Sequence, residues 1–213
     1  MKADYVIVTP RGTTADTVIE GSLDQGKKII VISPEKQKEK KDRLSSVKWN
    51  PASPLSAKNA ALTLENTLDE LPPILVFFPD IGASSAQSHQ LPYAEIESSV
   101  DRALKGMISI IKEIITLIKK NLPGNIILCL PKKPETGNAV IATIYECEKL
   151  LGDNLFEEYR DSGCRLFGFQ NGYEDKNRFS DYLLHQIPLL TKKAEGKWNV
   201  AGEKTSFFSN IKK

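Results

Sequence analysis

Tyr5–Val8, Ile29–Ile32, Ile74–Phe78 and Ile126–Leu130 are short runs in which every residue is apolar. A strand without polar alternation is buried on both faces, which points to a parallel sheet sandwiched between helices. Segments of helical period separate these runs. Ala15 to Leu23 carries Val18, Ile19 and Leu23 on one face and is followed by Gly26, a helix stop. Helices are also expected over Leu55–Leu71, Ile96–Leu122, Asn138–Tyr159 and about Asp175–Leu184. Val47-Lys48-Trp49 reads as a weak third strand, Arg165–Phe169 as a sixth, and a last strand is expected near Thr205–Phe208. Glu35 to Arg43 reads as a solvated loop or short helix. Alternating strands and helices predict right-handed βαβ units, hence an α/β, doubly wound parallel sheet in a Rossmann-like three-layer arrangement. No repeat or linker interrupts the pattern, so one domain over residues 1–213 is expected.

Composition excludes several function classes. The 29 basic and 27 acidic residues leave a net charge of +2, which exerts no long-range pull on nucleic acid or an anionic membrane. Cys129, Cys147 and Cys164 stand singly, without metal or disulfide spacing, and His89 and His185 lie far apart. No metal site is expected. The longest apolar stretch, Met107 to Ile118, is broken by Lys112 and Glu113, so no membrane span is expected. No apolar leader precedes Tyr5, and a cytoplasmic protein with reduced thiols is the expectation.

Several segments, in order, resemble the short-chain dehydrogenase/reductase family. Trp49-Asn50-Pro51-Ala52-Ser53-Pro54 stands where that family has a D-x-T-D turn. Val100–Leu104 resembles its fourth long helix, and Arg165–Gly172 its R-V-N-A-V-A-P-G strand. Asn199–Glu203 resembles the I-T-G-Q turn before its final strand. The resemblance implies a Rossmann-like fold, NAD(P) as the family's cofactor, and a homodimer through the helices Ile96–Leu122 and Asn138–Tyr159. The apolar stripe of the first, from Ile96 through Ile110 and Leu117 to Leu122, is wider than one sheet face needs.

The family's functional motifs are altered. Its first turn, T-G-x-x-x-G-x-G, brings glycines against a pyrophosphate at a helix N-terminus. Here it reads Thr9-Pro10-Arg11-Gly12-Thr13-Thr14-Ala15-Asp16, with one glycine, a proline lacking an N–H, and an acid near the helix start. Thr9, Arg11, Gly12 and Thr13 are the candidate phosphate contacts, and Asn50 the candidate adenine contact. Phe77-Phe78-Pro79-Asp80-Ile81-Gly82 replaces the family's N-N-A-G. The catalytic asparagine position falls at or beside Met107, and Asn125 to Gly137 holds no serine.

Tyr145 and Lys149 form a Y-x-x-x-K pair on one helical face, the arrangement that activates a tyrosine as proton donor. An ungapped count back from Arg165 instead places Ile141 at the family's tyrosine and Tyr145 at its lysine. Lys149 then reads as a surface ion-pair partner of Glu146 or of neighbours on the Glu148 side. The stretch from Gly172 to Gly202 is short for the family's lid.

The residues favour a catalytically inactive relative, with no cofactor, acting as a binding or scaffold domain toward an unidentified protein partner. One alternative is a divergent NAD(P)-dependent oxidoreductase using Tyr145 and Lys149. Another is a nucleotide or small-ligand sensor without turnover.

Overall fold

A computed structural model describes residues 1–10, 13–35, 43–81 and 86–202. Seven parallel strands form one sheet: β1 (Tyr5–Val8), β2 (Ile29–Ser33), β3 (Leu44–Lys48), β4 (Ile74–Phe77), β5 (Gly124–Leu130), β6 (Cys164–Gln170) and β7 (Trp198–Val200). Their order is β3-β2-β1-β4-β5-β6-β7, so the winding reverses between β1 and β4. The helices are α1 (Thr13–Asp24), α2 (Pro54–Thr67), α3 (Tyr93–Val100), α4 (Met107–Lys120), α5 (Ala139–Glu158) and α6 (Lys176–Gln186).

The two-residue period of the strands divides the core into two layers. Val6, Val8, Ile30, Ile32, Ile74, Val76, Ile126 and Leu128 face α2, α4 and α5. Tyr5, Ile7, Ile29, Val31, Leu75, Phe77, Ile127 and Cys129 face α1 and α6. These alternating sets are what a sheet covered on both faces requires.

Several expectations change in detail. The third strand lies earlier, over Leu44–Lys48, because its main-chain partner is Ile29–Ser33. The helix expected over Ile96–Leu122 consists of α3, a π-helical segment at Asp101–Gly106, and α4. Much of its broad stripe is covered within the chain, where Met107, Ile110, Ile111, Ile114, Ile115, Leu117 and Ile118 are buried, while Ile108 and Leu122 remain exposed. α4 packs on α2 as well as the sheet, which accounts for the buried part of that width. A seventh strand, Trp198–Val200, lies ahead of the Ala201–Gly202 turn. The strand expected at Thr205–Phe208 and most of the Glu35–Arg43 stretch lie outside the described residues.

Trp198 on β7 is seated by two glycines. A Cβ on Gly168 would lie 2.6 Å from the Trp198 ring, 2.7 Å from that of Phe156 and 2.9 Å from the Lys197 carbonyl. A Cβ on Gly152 of α5 would lie 2.3 Å from the same indole. The indole meets Phe156 edge-on, with ring centroids 5.3 Å apart. Gly168→Ala is therefore expected to destabilise the fold by about 1–3 kcal/mol through overpacking. Urea denaturation checks this, and an unchanged midpoint would contradict the packing described.

Candidate functional site

In an open α/β sheet the carboxyl ends of the strands, at the switch point, form the natural binding crevice. Two clefts lie along that edge. One, of about 460 Å³, is bounded by Pro10, Pro34, Glu35, Asn50 and, from α3 and the π-helical segment, Glu97 and Arg102. The other, of about 300 Å³, lies over β4–β6, between Pro79–Ile81, Pro131–Glu135, Tyr145 and Glu174. Between them, Thr9, Thr14, Phe77, Phe78, Cys129 and Phe179 enclose only about 10 Å³, roughly one water.

The second cleft gathers the titratable groups. α5 begins at Asn138, whose Oδ1 accepts from the Val140 and Ile141 N–H groups at 3.0 and 3.2 Å. Its Nδ2 donates to the Ala86 carbonyl at 2.8 Å, so this buried cap fixes the helix against the segment after β4. From that anchor the buried stripe runs through Ile141, Ile144, Tyr145, Glu148, Gly152 and Leu155.

Tyr145 is 2 % exposed and lines the cleft. Gln170, the last residue of β6, donates from Nε2 to the Tyr145 hydroxyl at 2.9 Å. Burial, followed by the negative field of Glu146, pushes the phenol up to about 12 despite the opposing Gln170 hydrogen bond. Lys149 does not figure among the groups that act on it. It is half-buried one turn further on, and its charge falls on Glu146. Glu146 takes Lys133 as its ion-pair partner, at 2.6 Å, rather than Lys149. A spectrophotometric titration should show one tyrosine ionising only at about pH 12, and Tyr145→Phe should remove that step. Ionisation near the ordinary value of 10 would contradict this environment.

Glu148 shares the buried face of α5 and is wholly shielded from solvent. Neither carboxyl oxygen has a hydrogen-bond partner. Burial, and secondarily the nearby charge of Asp80, pushes it up to about 9, so it holds its proton at neutral pH. Asp80 itself lines the cleft and meets Lys176 at 3.4 Å. Lys132 bridges to Glu135 at 3.2 Å and to Glu174 across the mouth.

The candidate cofactor contacts are placed as follows. Thr9 follows β1 directly, with its Oγ1 buried and unpartnered. Arg11 and Gly12 lie outside the described residues, as does the Thr13 side chain. Asn50 lines the larger cleft, but its Oδ1 accepts from the Ala52 N–H at 3.0 Å and its own N–H donates to Ser56 Oγ at 2.9 Å. It therefore shapes the turn into α2. Asp80, Asn138, Glu148 and Gln170 were not singled out in the sequence. Glu148 carried the one available signal, a carboxylate at an apolar position of a helical stripe.

No family model matches this sequence, and no curated protein does. Solved structures do. The chain superposes on a 3-ketoacyl-(acyl-carrier-protein) reductase from Brucella melitensis complexed with NADH, with a TM-score of 0.75 at 10% identity, over 92% of this chain and 95% of that one. The fold is that of the short-chain dehydrogenases/reductases. An oxidoreductase of that family from Brucella ovis, in complex with a partially ordered NAD, matches with a TM-score of 0.68 at 11% identity over 94% and 99% of the two chains. A short-chain dehydrogenase from Streptomyces avermitilis matches with a TM-score of 0.74 at 9% identity over 94% and 89%.

A dinucleotide laid across the switch point of a short-chain dehydrogenase/reductase fold has to pass from one cleft to the other. Here the small space of about 10 Å³ beside Thr9 is lined by Phe77, Phe78 and Phe179, which are 4 %, 4 % and 0 % exposed.

Proposed function

We propose that this chain uses a short-chain dehydrogenase/reductase fold as a ligand-binding module, without hydride transfer, and that its ligand occupies the cleft over β4–β6. The observation that carries the reading is the surroundings of Tyr145. A reductase needs a phenol whose proton leaves easily, with a cation close by to hold the phenolate. Tyr145 has the opposite setting: burial and Glu146 hold its proton on, and the Lys149 charge falls on Glu146. The small space beside Thr9, lined by Phe77, Phe78 and Phe179, supports the same reading.

The larger cleft favours a second reading. Its 460 Å³, bounded by Glu35, Asn50 and Arg102, would admit a nucleoside or mononucleotide without drawing on the small space beside Thr9. In that case the protein senses a nucleotide and turns nothing over.

One calorimetric experiment separates these readings. NADH and NADPH are titrated into the protein, and turnover is then assayed with a panel of aldehydes and ketones. No saturable binding up to millimolar cofactor is the expected result. Binding without turnover would move the ligand to the Asn50 cleft. Carbonyl reduction that Tyr145→Phe abolishes would overturn the proposal and establish the divergent oxidoreductase.

A further inference from the structure

Tyr145 carries a proton that no described residue takes up. Its ring is buried in the core layer that faces α2, α4 and α5, while its hydroxyl reaches the last residue of β6. The polar end of the side chain therefore stands at the carboxyl edge of the sheet, where Tyr145 lines the cleft over β4–β6. Gln170 donates from Nε2 to the hydroxyl oxygen at 2.9 Å, and among the described residues that is the hydroxyl's one hydrogen bond. Gln170 thus uses an acceptor position of the oxygen and leaves the O–H without an acceptor. A buried donor left in this way costs free energy, so it points to an acceptor supplied from the cleft.

The charges around the cleft constrain the rest of the ligand. Each charged residue of the lining is already paired. Lys132 meets Glu135 at 3.2 Å and also Glu174, Lys133 meets Glu146 at 2.6 Å, and Asp80 meets Lys176 at 3.4 Å. A charged ligand of either sign would face like charges and find every opposite charge taken. An uncharged ligand disturbs none of these pairs. Burial keeps the phenol proton in place up to about 12, so Tyr145 stays a donor throughout the neutral range. Pro79, Ile81, Pro131 and Pro134 supply apolar wall for the body of the molecule, in a cleft of about 300 Å³. That volume is at the small end of ligand sites and suits a compact ring system.

We propose that the cleft over β4–β6 binds a small uncharged molecule through an acceptor atom that has no proton of its own, an aza-aromatic nitrogen or a tertiary-amide oxygen, to which Tyr145 donates. Gln170 is the positioning residue: its N–H fixes the phenol in the donor sense. The inference rests on the reading of this cleft as the ligand site. It makes the site selective, because a ligand of the same shape that can only donate leaves the Tyr145 proton unmet and adds an unmet donor of its own.

The test titrates the full chain at neutral pH with quinoline and N-methylpyrrolidone, to tens of millimolar. Indole, which has nearly the size of quinoline but an N–H donor in place of the acceptor, serves as one control; benzoate and benzylamine are the charged controls. Infrared spectroscopy of N-methylpyrrolidone labelled at its carbonyl reads the hydrogen bond itself. Expected are saturable, mutually competitive binding of the two acceptors, a lowered carbonyl stretching frequency on binding, and in Tyr145→Phe about tenfold weaker binding with that shift lost. The infrared reading on the wild-type protein stands whether or not the variant folds. Controls that bind as tightly as the acceptors, an unmoved carbonyl frequency, undiminished binding by Tyr145→Phe, or silence of every probe would each overturn it. The dinucleotide titration separates the two failures. Carbonyl reduction by NADPH overturns the non-redox reading, whereas acceptors and controls binding alike with silent dinucleotides removes only the acceptor assignment.

Discussion

Replacing Glu148 with glutamine is expected to make the protein more stable at neutral and alkaline pH. The folded-state carboxyl sits at about 9, against an ordinary value of 4.5 in the unfolded chain. Above 4.5 the unfolded chain gives up its proton while the folded protein keeps it, so rising pH favours unfolding. The wild-type protein therefore has its full stability below about 4.5 and loses it progressively until the folded carboxyl titrates at about 9. At about 1.4 kcal/mol for each pH unit, the loss is roughly 3 kcal/mol at pH 7 and about 6 kcal/mol above pH 9. Both figures are large beside a typical domain stability of about 5–15 kcal/mol. Glutamine has the shape of the protonated acid and no titration, so Glu148→Gln should lack this slope. Urea denaturation from pH 5 to pH 9 checks it. Parallel pH dependences in the two proteins would show that Glu148 is not held protonated in the fold.

Phe179→Ala is expected to cost about 3–5 kcal/mol, the usual range for removing a buried aromatic ring. Phe179 is fully buried on α6 and belongs to the core layer formed with α1, where it packs among Ala15, Val18, Phe77 and Cys129. α1 and α6 also hold each other through Ser180, whose hydroxyl donates to the Thr17 carbonyl at 3.1 Å. Removing the ring leaves that bond in place, so the cavity sets the cost. The same ring lines the small space beside Thr9 that lies between the two clefts. Chemical denaturation measures the loss, and a change below about 1 kcal/mol would mean that the layer closes over the gap. The variant also shows how much of the division between the clefts depends on one side chain.

These two residues mark where local pattern ceased to be informative. Phe179 could be read as apolar, but its place beside Thr9, far away in the chain, depends on α6 packing across α1. Glu148 could be read as one acid in an acidic stretch of α5, with Glu146 a plausible equal. Helix geometry alone puts the two on different faces, and only the neighbouring sheet and π-helical segment make one of those faces dry. Lys133 lies on the loop after β5, so its capture of Glu146, which leaves Lys149 without its expected partner, depends on how that loop lies against α5. The Y-x-x-x-K spacing is a local fact. Whether the lysine acts on the tyrosine is decided by the surroundings of both.

What the sequence by itself determined is the architecture. Continuously apolar strands can be buried only under helices on both faces, and their alternation with helical segments leaves little choice but a parallel, doubly wound sheet. The order of strands along the chain, the helix stop before Gly26 and the start of α5 at Asn138 are local properties of short segments. The tertiary structure decided which residues meet at the carboxyl edge. It joined Tyr145 to Gln170, brought Asp80 near Glu148 and set Phe179 under the switch point. The physical reason is range. Period and capping act over a few residues, whereas burial and electrostatic fields at a cleft are sums over elements distant in the chain.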